Sequence, residues 1–257
     1  MMKVKILICG SSGKMGSKLT RLIKQNKQFL ISGLVNKKNY DNFIKKNISV
    51  NYEKIIKKTD VILDFSHPTL TLKILRIANK YKKKVIIGTT GFNNKQENFI
   101  KLCSKKIPIL KSGNMSIGIN LLAYTLKILS KKIPDDYKIG IVDNHHKAKL
   151  DYPSGTALML ADALSMGRNK SRGSMMGKFF LNKKGYLNDN KINFFIIRKD
   201  KTIGKHSIFF KEKNECFELR HIAFSRNLFA DGALRAAVWL NKKRKGLFNM
   251  QDMLNLN

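Results

Sequence analysis

Residues 142–156 read VDNHHKAKLDYPSGT, and two of the chain's five histidines, His145 and His146, stand side by side in it. Lys147 and Lys149 follow at once. A histidine titrates near neutrality and can give or take a proton. A lysine ammonium can donate a proton or hold a carboxylate. Pro153 then leads into Ser154, Gly155 and Thr156, a helix start whose free N–H groups and dipole form an anion pocket. If the histidines end a strand, their side chains diverge, and only one of them faces a given reacting atom. A solvated lysine loop before a capped helix would account for Lys147, Lys149 and Ser154, but not for paired histidines. The stretch is a candidate for proton transfer to a bound anion.

A second constellation lies near the start. Gly10-Ser11-Ser12-Gly13-Lys14-Met15-Gly16 spaces its glycines as G-x-x-G-x-x-G, with Ser12 where the G-x-G-x-x-G form has its middle glycine. The run follows an apolar strand pattern and opens a helical one, the context in which glycines let the backbone approach a pyrophosphate. Gly88-Thr89-Thr90-Gly91 and Ser112-Gly113-Asn114-Met115 each end a predicted strand. Small residues there let a flat cofactor ring lie against the backbone. An acid after the second strand of such a unit accepts hydrogen bonds from the ribose of NAD. Here that place holds Asn36, Lys37 and Lys38. An amide does not repel the 2′-phosphate of NADPH yet can still bond a ribose hydroxyl, and two lysines suit the phosphate, so NADPH is expected to be preferred. His67 reads as a helix-start residue, and His206 and His221 as structural or interface residues.

These residues need elements to hold them. Short apolar runs at Lys3–Cys9, Ile31–Val35, Val61–Ser66, Lys84–Gly91 and Ile107–Asn114 alternate with helical spacing. Such alternation predicts a doubly wound α/β parallel sheet. A long amphipathic helix from Ser116 and the strand Lys138–Asn144 open a different pattern. SGTALMLADALSM is helical, residues 167–190 read as a polar loop, and KINFFIIR, GKHSIFFKEK and ECFELRHIAF read as antiparallel strands. This is an inserted α+β domain on an open mixed sheet. NLFADGALRAAVWLNKKR is a final helix returning to the first domain. The expected boundaries are 1–115 with 226–257, and 116–225.

The chain has 257 residues, 43% of them hydrophobic, enough for two modest domains with real cores. No apolar run approaches the ~20 residues of a membrane span. The apolar part of MMKVKILICGSSG is too short for a leader and runs into the glycine loop. A cytoplasmic protein without membrane contact is expected. Three scattered cysteines, Cys9, Cys103 and Cys216, carry no metal-ligand spacing, so no metal is expected. The formal net charge of +34 invites a nucleic-acid reading. The lysines are spread along nearly the whole chain, however, and no nucleic-acid motif accompanies them. No specific nucleic-acid partner is expected.

HHKAKLDYPSGTA resembles the H-H-R-x-K-x-D-x-P-S-G-T-A signature of the 4-hydroxy-tetrahydrodipicolinate reductase (dihydrodipicolinate reductase) family. GSSGKMG, LDFSHP, VIIGTTGF, SGNMSIGIN, IGKH, SRNLFADGALRAAVWL and GLFNMQDML match in order along the chain. The resemblance implies a Rossmann-like domain that binds NADH or NADPH, and an inserted domain that binds a small dicarboxylate substrate and builds a homotetramer. It implies His145 as general acid/base and Lys149 as proton donor. His146, Gly155 and Thr156 would hold a substrate carboxylate, at the helix start that Ser154 opens. Gly10 to Met15, Gly88 to Thr90 and Ser112 to Met115 would line the cofactor. Lys147 stands where the family favours Arg and Asp143 where it commonly has Glu; neither is expected to touch the catalytic pair. The alternative is a catalytically lapsed dinucleotide- or nucleic-acid-binding protein, against which an intact His145, Lys149 and S-G-T stand.

Overall fold

A computed structural model describes residues 3–36, 49–185, 187, 190–199 and 201–256. The chain forms two compact units, Met1–Ser116 with Asn227–Asn257, and Ile117–Arg226.

The first unit alternates as the sequence requires. It runs β1 (Val4–Cys9), α1 (Lys14–Gln25), β2 (Phe29–Val35), α2 (Ser49–Lys57), β3 (Val61–Asp64), α3 (Pro68–Lys80), β4 (Lys84–Ile87), α4 (Asn94–Ser104) and β5 (Pro108–Lys111). All pairings are parallel, in the order β5-β4-β3-β1-β2. Strands covered on both faces are apolar almost throughout, as in the fully buried VILD of β3. Each helix buries one stripe, such as Leu70, Ile74, Leu75 and Ala78 of α3. His67 is the N-cap of α3, with Pro68 in the first turn. The helix α2 went unanticipated in the sequence.

The second unit runs α5 (Ile117–Lys132), β6 (Lys138–Asn144), α6 (Gly155–Gly167), α7 (Arg172–Met175), β7 (Met176–Leu181), β8 (Ile192–Ile197), β9 (Gly204–Lys211) and β10 (Cys216–Ala223). Its sheet order is β10-β9-β6-β8-β7. Leu122, Leu126, Leu160 and Leu164 of α5 and α6 pack on Ile139, Ile141, Phe194, Ile208 and Phe210. On the opposite face Phe195 lies between Phe180 and Phe209, at 5.4 and 5.6 Å between ring centroids. Gly140 makes room there, because a Cβ would overlap the Phe209 ring.

Two expectations are corrected here. KINFFIIR does not form an antiparallel hairpin with GKHSIFFKEK: β8 pairs with β6 in parallel, β9 pairs with β6 antiparallel, and β6 lies between them. Residues 167–190 are not all loop, since α7 and β7 fall within them. β7 is an edge strand with half of its residues exposed or nearly so, and its apolar pattern is correspondingly weak.

The chain then returns to the first unit through α8 (Asn227–Leu240), β11 (Gly246–Phe248) and α9 (Met250–Met253). β11 adds a sixth parallel strand beside β5. Gly232 on α8 lies so close to Met115 that a Cβ would overlap its carbonyl oxygen.

Candidate active site

In the first unit the strand order reverses at β1, which has β2 on one side and β3 on the other. Ligands of open α/β sheets bind beyond the carboxyl ends at such a point. Gly10 follows β1 with φ +80°, and a Cβ there would overlap the Phe65 carbonyl after β3. A Cβ on Gly16 would overlap the Gly10 carbonyl oxygen, so this glycine sets how closely α1 approaches the loop. The N–H groups of Gly10 and Ser11 both donate to Val35 O at 2.9 Å and are spent inside the fold. The Gly13 N–H is spent as well, on Gly10 O at 3.0 Å, which shifts the anion-binding part of the loop toward the start of α1. Gly13 is the N-cap of α1 without a side-chain cap, and the first-turn N–H groups at Lys14 and Met15 point out of the helix start. No acid occupies that first turn.

Asn36 directly follows β2. Lys37 and Lys38 lie outside the described residues. Gly88 N–H donates to Asp64 O at 2.8 Å, and a Cβ at 88 would overlap the Phe65 ring. Buried Thr89 accepts from Ser66 N–H at 3.0 Å. Thr90 and Gly113 meet at the surface, where a Cβ on Gly113 would stand 3.5 Å from Thr90 Cγ2. Ser112 Oγ donates to Asn114 O at 2.7 Å. Asn114 and Met115 are buried and support this turn from within.

In the second unit the cross-strand register pairs Asp143 of β6 with His206 of β9. Side chains of register partners lie on one face, and here that face carries Ile141 and Ile208 toward the helices. His145, two residues after Asp143, falls on the same side. Its Nδ1 stands 2.9 Å from Asp143 Oδ1, off the axis of a straight hydrogen bond. His206 Nε2 stands 3.3 Å from the same oxygen, and the two rings meet edge to face with centroids 5.1 Å apart. Ser154 caps α6 and closes the cluster. Its N–H donates to Asp143 Oδ2 at 2.8 Å, its Oγ donates to Oδ1 at 2.8 Å and accepts from Ala157 N–H at 3.1 Å. Arg198 donates to Asp143 Oδ2 at 2.9 Å, to Asp143 O at 2.7 Å and to Asp151 O at 3.0 Å.

Burial would raise the Asp143 carboxyl, but the bonds from His145, His206, Arg198 and Ser154 outweigh it and hold the group well below the usual carboxylate range. Burial lowers His145, Asp143 opposes that, and the charges of His206 and Lys149 add to the lowering. Asp143, His145 and His206 bring one oxygen and two nitrogens within 4.8 Å of one another. The guanidinium already on Asp143 supplies the positive charge that a metal ion would bring.

His146 lies two residues beyond the end of β6, and Arg226 donates to its Nε2 at 3.2 Å. Lys149 donates to both carboxylate oxygens of Asp151, at 2.7 and 2.8 Å. Gly155 is exposed, and a Cβ on it would meet nothing within 4 Å. The sequence reading thus missed Asp143, Arg198, Arg226 and the placement of His206. The expectation that Asp143 stands clear of the catalytic pair is wrong, because the residue two before His145 shares its side of the strand. IGKH already pointed at His206. Nothing local marks Arg198, whose role comes from the β6–β8 register.

The dihydrodipicolinate reductase N-terminal family matches residues 4–115 and the dihydrodipicolinate reductase C-terminal family residues 118–254. The chain belongs to the dihydrodipicolinate reductase family. It is 49% identical over 256 residues to the 4-hydroxy-tetrahydrodipicolinate reductase of Pelagibacter ubique (strain HTCC1062), covering 99% of both chains. It is 40% identical to the enzyme of that name from Buchnera aphidicola subsp. Cinara cedri (strain Cc), covering 98% of this chain and 97% of the relative. The dipicolinate-bound dihydrodipicolinate reductase of Paenisporosarcina sp. TG-14 shares the fold, with a TM-score of 0.77 at 22% identity over 98% of this chain and 99% of the other. The family makes the chain an NAD(P)H-dependent oxidoreductase. The cradle of Gly10 and Gly16 and the uncapped start of α1 fit a dinucleotide.

Proposed function

We propose that the chain reduces (2S,4S)-4-hydroxy-2,3,4,5-tetrahydrodipicolinate with NADPH or NADH, giving (S)-2,3,4,5-tetrahydrodipicolinate and water, on the diaminopimelate route to lysine. The observation that carries this reading is the juxtaposition of His145, anchored to Asp143, with the Ser154-capped start of α6. It puts proton transfer beside anion binding, which an unsaturated dicarboxylate needs.

The nicotinamide, when bound, supplies a hydride. The N–H groups of Gly155 and Thr156 at the helix start, together with His146, hold a substrate carboxylate. Lys149 releases Asp151 to donate a proton or to pair with that carboxylate; the Asp151 contact is exposed, and such pairs are worth at most about 1 kcal/mol. His145 supplies or receives the proton that charge balance requires after hydride arrives, with its pKa lowered by burial and by the charges of His206 and Lys149. Lys14 and the second half of the glycine loop hold the pyrophosphate, while Thr90, Ser112 and Gly113 border the nicotinamide. No helix of the described residues is long and apolar enough to cross a membrane. A cytoplasmic homotetramer is part of the same proposal, assembled through the sheet face that carries Phe180, Phe195 and Phe209.

The test is oxidation of NADPH and NADH followed with freshly generated substrate. Turnover is expected with both, and His145→Gln or Lys149→Ala should lower kcat by about 10²–10⁴ with nicotinamide binding kept. Near-full turnover in both variants would remove the assigned roles, and no turnover in the wild type would remove the reading itself.

A further inference from the structure

If His145 transfers the proton, one of its two ring nitrogens must carry it. Three observations single out Nε2. Nδ1 stands 2.9 Å from Asp143 Oδ1, and although the contact is bent from a straight hydrogen bond, a bare nitrogen lone pair there would repel the carboxylate while an N–H is attracted to it, so Nδ1 keeps its hydrogen. The carboxylate cannot turn away, because Ser154 binds both of its oxygens and Arg198 binds Oδ2 and the backbone oxygen of Asp143. Nε2 faces Gly204, where a Cβ would stand only 3.1 Å from it, so the missing side chain keeps that nitrogen approachable.

His206 completes the arrangement. Its Nε2 lies 3.3 Å from Asp143 Oδ1 and 3.2 Å from Ser154 Oγ, so a hydrogen on Nε2 has acceptors. Its Nδ1 is buried and has no partner among the described residues. A second hydrogen there would be a buried donor without an acceptor, which is costly. His206 therefore directs its Nε2 hydrogen at the shared carboxylate.

We propose that Asp143 and His206 are positioning residues that assign the mobile proton of His145 to Nε2. The proposal rests on the reading of His145 given above. The charged and titratable groups facing this ring are Asp143 beside it, His206 from β9, Lys149 from the following loop, and Arg198 through Asp143.

The test uses the full-length protein. His206→Leu removes the donor and frees the carboxylate to favour the imidazolium. It should lower kcat on the order of tenfold, part of the 10²–10⁴ that general acid–base catalysis supplies. KM for substrate should move far less, and the limb of the kcat/KM–pH profile that belongs to His145 should shift to higher pH. His206→Gln keeps an N–H near the position of Nε2 and should restore both toward wild type. Imidazole ¹⁵N spectra of the ligand-free wild type should show the neutral ring of His145 with hydrogen on Nδ1 and none on Nε2. A neutral ring protonated on Nε2, an unchanged rate and profile in His206→Leu, or equal impairment in His206→Gln would each overturn the proposal. If the wild type turns over no substrate, the functional reading falls, and the spectra still decide where the proton sits.

Discussion

Asp64 and Asp143 are both fully buried carboxylates at the carboxyl end of a strand, one in each unit, yet their pKa values move in opposite directions. Asp64 ends β3 and meets neutral partners: Ser66 through its N–H at 3.1 Å and its hydroxyl, with Thr71 and Thr89 adding to the bonding. Burial raises its pKa, and these bonds do not offset it. Asp143 is as deeply buried but faces Arg198 and two histidines, and its pKa falls. Depth alone therefore predicts neither sign; the charge of the partners decides it. The difference matches the work proposed for each unit. A strand end beside a polyanionic dinucleotide gains from a carboxylate whose charge is disfavoured. A strand end that handles protons gains from one that stays charged.

Removing each charge should break the symmetry most. Asp143→Asn leaves the Arg198 guanidinium buried without its counter-ion, and breaking such a pair typically costs about 3–5 kcal/mol. Asp64→Asn removes a charge that burial already disfavours and keeps an acceptor for Ser66, so a cost of about 1 kcal/mol or less is expected. Denaturant unfolding of both variants measures this. Equal losses would mean that burial, not partner charge, governs these sites.

The pH dependence of stability sharpens the contrast. The folded pKa of Asp143 lies below its ordinary value of 3.8, so its contribution is full above that value and is lost as pH falls below it. His145 has the same sign one window higher: its pKa is depressed from 6.5, so stability falls as pH drops through that value. Asp64 runs the other way. Its folded pKa is raised above 3.8, so its contribution is present in acid and is lost as pH rises through the folded value. The stability gap between wild type and Asp143→Asn should stay constant above the ordinary carboxylate value of 3.8 and narrow as pH falls below it, while Asp64→Asn should compare worst with wild type at the acid end. Parallel pH profiles in the two variants would contradict the assignment.

What the sequence made legible follows the same division. The first unit was readable because parallel strands buried on both faces are continuous apolar runs, and a glycine loop between strand and helix declares its job locally. Lys14 and Met15 at the start of α1 could be named from spacing alone. The second unit was readable only where its chemistry is contiguous, in His145 to Thr156. Arg198 and His206 lie more than fifty residues away in sequence and join Asp143 through the register of β6 with β8 and β9. Strand pairing is a long-range choice that hydropathy does not encode, so KINFFIIR was assigned to the wrong neighbour. Asp143 itself was within reach, since a period of two places it beside His145.

The smallest expected effect concerns cofactor choice. Asn36 follows β2 at the place where an acid would select NAD by binding its ribose and repelling a 2′-phosphate. An amide bonds a hydroxyl without that repulsion, and Lys37 and Lys38 come next in the sequence. NADPH is therefore expected to be used in preference to NADH, with both active. Solvent-exposed ion pairs contribute about 0.2–1 kcal/mol each, so Lys37→Ala/Lys38→Ala should lower the NADPH-to-NADH ratio of kcat/KM by roughly 2- to 30-fold. Raising the salt concentration should erode the wild-type preference in the same direction. Asn36→Asp should carry the ratio further toward NADH by restoring the repulsion. A wild type that prefers NADH, or a double variant with an unchanged ratio, would show that neither lysine meets the phosphate. The buried ion network of the second unit should be indifferent to the same salt, because its charges are shielded from solvent ions, and His145-dependent turnover at saturating cofactor should hold constant across the titration.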